Sequence, residues 1–153
     1  MKVRLVMVGK NAPGPLTLAL EEMLARVHRS APVEVHIVPD VTAGDANHKR
    51  RVSTQKLMDA VKDDPLVVLL DERGKQFTSE AFAAQLGRWR DLGTRTVTFI
   101  VGGAYGVEEP LRRRAQLVFA LSSLTFPHQL VRVFLAEQLY RAFSILEGRP
   151  YHH

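Results

Sequence analysis

The chain has 153 residues, 46% of them hydrophobic and 24% charged, the size and composition of one soluble globular domain with a core of its own. No apolar run approaches the roughly 20 residues that span a bilayer, the apolar stretch at the amino terminus is too short for a signal peptide, and zero cysteines exclude disulfides, thiolate metal sites and a cysteine nucleophile, as suits a reducing cytoplasm. Lysine and arginine number 21 against 16 acids, a net charge of +5, which biases the protein towards anionic partners, nucleic acid first among them.

Lys2 to Val8 reads as a first strand ending at Gly9. Leu16, Leu20, Leu24 and Val27 fall at helical spacing and predict an amphipathic helix over Leu16 to Arg29. Val33 to Val38 alternates and is β-branched, a strand at an edge or with one face exposed. A polar loop follows, then a helix from about Asp45 to Lys62 with Leu57, Met58 and Val61 on its apolar face, stopped by Asp63-Asp64-Pro65. The continuous apolar run Leu66 to Leu70 is the pattern of a parallel strand covered on both faces. Ser79 is the expected N-cap of the next helix, which carries Phe82, Leu86 and Trp89 and ends before Gly93.

The last third, from Val97, has the same grammar. A buried strand (Val97 to Val101) runs into the loop Gly102-Gly103-Ala104-Tyr105-Gly106 and a short basic helix; a further strand ending at Leu121 runs into Ser122-Ser123-Leu124-Thr125-Phe126 and a long helix from Pro127 to about Leu146. The repeated strand–helix order, with no linker or composition break, predicts a single α/β domain over 1–153 with a mostly parallel sheet. Basic side chains cluster at Lys49-Arg50-Arg51, at Arg88 with Arg90, and at Arg112-Arg113-Arg114.

In such a sheet the ligand sits at the carboxyl ends of the strands. Two strands here end in small-residue loops, and Leu70-Asp71 would be a third strand end beside them if the strands are neighbours. The glycine loop matches neither the dinucleotide fingerprint nor the phosphate loop, and Glu108 and Glu109 after it would compete with a phosphate for the helix start. A tight turn without ligand fits that loop equally; backbone groups at three strand ends suit a neutral or zwitterionic heterocycle such as an adenosine. The long helix is apolar over more than one stripe, so part of it faces something besides its own sheet, a second copy being the economical partner. Glu137 and Arg141 form an i,i+4 pair. The histidines lack the spacing of a zinc site, and no metal is expected.

The runs Leu70 to Lys75, Phe99 to Gly106, Leu121 to Val133, Ala136 to Ala142 and Gly148 to His152 resemble the bacterial ribosomal RNA large subunit methyltransferase H family, of the SPOUT class, in order and over the whole chain. The resemblance implies an α/β-knot fold with a C-terminal trefoil knot, a homodimer, and S-adenosylmethionine as cofactor. It implies methylation of N3 of pseudouridine 1915 in helix 69 of 23S rRNA, on the assembled 70S ribosome. By the same resemblance, Leu70, Gly102, Gly103, Leu121, Ser122, Ser123, Leu124, Thr125 and Phe126 would bind the cofactor. His128, Arg141, Tyr151 and His152 would bind substrate, and Arg132, Glu137 and His152 would act in catalysis. Another RNA, such as tRNA, as substrate, or a ribosome-binding factor without catalysis, are the competing expectations.

Overall fold

The computed structural model describes residues 1–151. Among the described residues, five strands and five helices alternate: β1 (Lys2–Val8), α1 (Pro15–His28), β2 (Val33–Val38), α2 (Ala46–Ala60), β3 (Val67–Lys75), α3 (Ser79–Asp91), β4 (Thr96–Val101), α4 (Glu109–Arg114), β5 (Leu117–Phe119) and α5 (His128–Leu146). They form one sheet of order β2-β1-β4-β3-β5, parallel at every pairing. The half-exposed strand of the sequence, β2, is an edge, and β3 lies between β4 and β5. The strands bearing the two small-residue loops are therefore separated by Leu70's strand rather than adjacent to each other.

Alternation along the strands splits the core into two layers. Val3, Leu5 and Met7 of β1 and Phe99 and Val101 of β4 face α1, α3 and α5, joined there by Phe82, Leu86, Leu135 and Leu139. Val6, Val8, Leu69 and Ile100 face the other way, onto Leu57 of α2 and Leu111 of α4. The first layer is aromatic near β5, where Phe82 stacks on Phe119 at 4.8 Å and meets Phe99 edge-on at 6.3 Å, geometries that favour ring pairs.

Capping sets the helix starts. Asp45 accepts the His48 N–H at 2.8 Å, and Thr78, not Ser79, accepts the Ala81 N–H at 3.1 Å and caps α3. Pro127 is the N-cap of α5, one position before its expected place in the first turn.

β3 runs past Leu70 to Lys75 because its tail meets β5 a second time. Phe119 registers with both Leu70 and Lys75, and the Ala120 N–H donates to the Lys75 carbonyl at 2.9 Å. Gly74 makes this possible, since a Cβ there would lie 2.5 Å from the Val118 carbonyl oxygen, a backbone clash no rotamer relieves.

Candidate active site

The carboxyl ends of β3 and β5 and the first turns of α5 enclose a cavity with two lobes that share Phe119, Leu121, Ser122 and Phe126. The smaller lobe, about 70 Å³, is completed by Leu70, Asp71, Glu72, Leu124 and Val131. The larger, about 250 Å³, extends under α5 to Phe77, Thr78, Phe82, Phe134, Glu137 and Gln138. Together they reach the lower end of the size range of small-molecule sites, roughly 300 Å³, with the usual apolar wall and few polar groups.

Local structure fixes the lining. Leu70 is the last residue of β3 in register with β4. Ser122 Oγ accepts the Leu124 N–H at 3.0 Å, a turn that presents Leu124 with 68% of its surface exposed. Asp71 anchors the floor: one carboxylate oxygen accepts from Arg112 Nε at 2.9 Å and the other from the Arg73 N–H at 2.9 Å. Arg114 likewise turns inward, donating to the carbonyls of Val61 and Asp64 at 2.8 and 2.6 Å. Of the basic run on α4, only Arg113 stays exposed; the run is largely scaffold.

Of the nine expected cofactor residues, five line this cavity: Leu70, Leu121, Ser122, Leu124 and Phe126. Ser123 and Thr125 are exposed beside it. Gly102 packs against Val107, where a Cβ would come within 3.2 Å. Gly103 lines a different cavity of about 340 Å³ on the far side of the α5 start, with Val8, Asp40, Lys49, Tyr105 and His128.

The expected substrate and catalytic residues fall into two groups. Glu137, Arg141 and Tyr151 come together at the mouth of the larger lobe. Glu137 Oε1 accepts from Arg141 Nη2 at 2.8 Å and from the Tyr151 hydroxyl at 3.1 Å, and Oε2 accepts from Gln138 Nε2 at 2.7 Å. Burial, then the charge and hydrogen bond of Glu137, raise the Tyr151 phenol above its ordinary value of 10.0, so it stays a donor. The tyrosine ring rests 4.4 Å from that of Tyr140, with the Arg141 guanidinium 5.1 Å from its centroid, which folds the tail back onto α5.

Arg132 belongs to the second group. It is 1% exposed, and its guanidinium donates to Asn11 Oδ1 at 2.7 Å and to the carbonyls of Val8 and Gly9 at 2.5 and 2.9 Å. It points to the end of β1, away from the larger lobe. His128, one turn earlier, lies beside it; burial and then the Arg132 charge hold its imidazole below the ordinary 6.5, against a smaller opposing pull from Asp40. His152 lies outside the described residues.

Phe77, Thr78, Phe134 and Gln138 complete the larger lobe without having been singled out in the sequence. Phe134 and Gln138 are i,i+4 neighbours on α5 and Phe134 is i−3 to Glu137, a usable signal, whereas Phe77 and Thr78 arrive from the loop before α3 and leave none.

Three comparisons bear on this architecture. The family described as "Predicted SPOUT methyltransferase" matches residues 1–152. Proteins named ribosomal RNA large subunit methyltransferase H are similar over the whole chain: that of Geobacter sulfurreducens is 43% identical over 153 residues, 100% of both chains, and that of Allorhizobium ampelinum 39% identical over 99% of each. Among solved structures, a probable methylase family protein from Haemophilus influenzae superposes with a TM-score of 0.63 at 11% identity, over 99% of this chain and 70% of that one. A probable methyltransferase from Bordetella pertussis does so at 0.58 and 12%, over 93% and 96%. The chain belongs to the SPOUT methyltransferases and, within them, to the family of the relatives named ribosomal RNA large subunit methyltransferase H.

Proposed function

We propose that the protein is a homodimeric, S-adenosylmethionine-dependent methyltransferase of the cytoplasm whose target is N3 of the helix-69 pseudouridine of large-subunit rRNA in the assembled ribosome. One observation carries this reading: an apolar strand-end cavity opens onto a carboxylate held by an arginine, a glutamine and a tyrosine. The family's relatives are named for large-subunit rRNA, and a putative methyltransferase from Legionella pneumophila, with a TM-score of 0.50 at 12% identity over 95% of this chain and 66% of that one, is described with bound SAM.

The donor set of the cavity fits that cofactor. Leu70, Leu121, Leu124, Phe126 and Val131 offer apolar walls for a flat heterocycle, and Ser122 a hydroxyl at the rim. The backbone of residues 121–126 and Gly102 at the neighbouring strand ends would supply its remaining contacts. When bound, S-adenosylmethionine supplies a methyl group already activated on a sulfonium centre. What the chain must contribute is alignment of the target nitrogen and removal of its proton.

An imide N3–H is a poor nucleophile until that proton leaves. Glu137 is the proton acceptor in this reading, and Arg141 beside it stabilises the negative charge left on the base. The hydroxyl of Tyr151 fixes the carboxylate. Arg132 acts at one remove: tied to the end of β1, it sets the register of α5 and hence the place of Glu137, about 7.5 Å further along the helix. Leu124 and Phe134, 68% and 39% exposed at the cavity mouth, are the apolar surface a second copy would cover. The C-terminal knot belongs to the same proposal, supported by the match to the SPOUT methyltransferase family.

The test is transfer of labelled methyl from S-adenosylmethionine to assembled ribosomes with and without the helix-69 pseudouridines. Label only in pseudouridylated ribosomes, located on N3 by mass spectrometry, is the expected result. Equal labelling of both, or of tRNA instead, would overturn the substrate, and bound cofactor with no transfer to any RNA would overturn the enzyme.

A further inference from the structure

On the far side of the α5 start, one exposed aromatic ring is held by two cations of a single helix. Tyr105, 49% exposed at the tip of the glycine loop, has the Lys49 ammonium 4.9 Å from its ring centroid. Its hydroxyl lies 3.3 Å from Lys49 Nζ, and its carbonyl accepts from Arg50 Nε at 3.2 Å. The loop is stiffened from both ends. The Gly106 N–H donates to the Gly103 carbonyl at 3.1 Å, with Gly106 in the left-handed region at φ 76°. The Thr54 hydroxyl of α2 accepts the Glu108 N–H at 3.0 Å.

These contacts exceed what a turn requires. A tyrosine would ordinarily turn its ring inward, or a smaller residue would stand at an exposed tip. Here a wet ring is preorganised, with Lys49 of α2 beside it, Arg50 on its carbonyl and a cavity of about 340 Å³ at its foot. Asp40 sets one carboxylate against the Lys49 ammonium in this cavity, and Arg50 adds a second cation at the loop. An aromatic face flanked by lysine and arginine is the arrangement that holds an unpaired nucleobase by stacking and the adjoining phosphates by charge. Arg112 and Arg114 of the run on α4 are turned inward, whereas Lys49 of the run on α2 reaches the exposed ring.

We propose that Tyr105 and Lys49 form a docking platform for a single-stranded segment of the RNA substrate, one base stacking on Tyr105 and its phosphate facing the Lys49 ammonium. The inference rests on the proposed function for the identity of the RNA. The platform shares the start of α5 with the cofactor cavity, through His128 on one side and Phe126 on the other. It is a specificity element: it holds RNA flanking the target and does not touch the reacting atoms.

The experiment is steady-state methyl transfer to purified ribosomes, with S-adenosylmethionine affinity measured by calorimetry alongside. Tyr105→Ala should raise KM for ribosomes about tenfold with kcat and cofactor affinity near wild type, and Tyr105→Phe, which keeps the ring, should restore KM. Lys49→Gln should lower the salt slope of ribosome binding by about 0.7. An unchanged KM for Tyr105→Ala, or a Lys49→Gln salt slope equal to that of the wild type, as a ribosomal-protein partner would give, overturns the platform while leaving the proposed function intact. A wild-type protein that binds no ribosome overturns the proposed function itself. Should Tyr105→Ala distort the loop and weaken cofactor binding as well, an equal defect in Tyr105→Phe overturns the platform, and rescue by Tyr105→Phe upholds it.

Discussion

Arg132 and Glu137 are five residues apart on one helix and live in opposite environments. Arg132 sits in a buried stripe with Leu135, Ala136, Leu139, Ala142 and Phe143, and its guanidinium closes on backbone carbonyls of β1. Glu137 has 22% of its side chain exposed and gathers Arg141, Gln138 and Tyr151 at the mouth of a cavity. Both are charged, and the family resemblance points to both as catalytic residues. The difference shows that a charge inside the apolar period of a helix serves the fold, whereas one at the edge of that period is available to a ligand.

That contrast can be broken experimentally, and the largest expected effect is on stability. Arg132→Met should cost about 3 kcal/mol in urea unfolding, since it strands the Val8 and Gly9 carbonyls in the core; a loss under about 1 kcal/mol would mean the arginine is not an anchor. Gly74→Ala comes next, at about 2 kcal/mol by thermal melting, because its methyl would meet the β5 backbone rather than a yielding side chain. Next, Phe134→Asp should leave the fold intact and shift the protein from dimer to monomer in sedimentation, with transfer falling alongside; an unchanged dimer would place the interface elsewhere.

The smallest effect is on pH. The folded chain resists protonating His128 while the unfolded chain takes up the proton near the ordinary 6.5. The stability it contributes is therefore present above about 6.5 and is lost as pH falls from there through the lowered folded value. His128→Asn should flatten the dependence of stability between pH 7 and pH 5.

Much of the fold was legible because strand and helix periods are local. The alternation of Val33 to Val38 announced an edge or a strand with one face exposed, and the unbroken Leu66 to Leu70 a covered strand. The cap at Thr78 was misplaced by one residue, since two adjacent hydroxyls offer the same sequence signal and only backbone angles choose between them. Gly74 was not legible: its need for a missing side chain comes from Val118, 44 positions on, reached only when β3's tail meets β5. The candidate site was legible where it follows strand ends, at Leu70, Leu121, Ser122, Leu124 and Phe126. It was not where a charge run suggests a surface, as at Arg112 and Arg114, nor at Arg132, although the spacing of Leu135, Ala136 and Leu139 places that arginine on the buried face.

The separation of anchor from chemistry on α5 is tested most directly by single-turnover methyl transfer to pseudouridylated ribosomes, at saturating S-adenosylmethionine, with Glu137→Gln and Arg132→Lys compared side by side. Glu137→Gln should fold and bind cofactor as the wild type does yet transfer about 100-fold more slowly. Arg132→Lys, which keeps a charge and part of the β1 contact, should lose stability but transfer within about threefold of wild type once folded. Full-rate transfer by Glu137→Gln, or a large rate loss in a folded Arg132→Lys, would contradict the assignment.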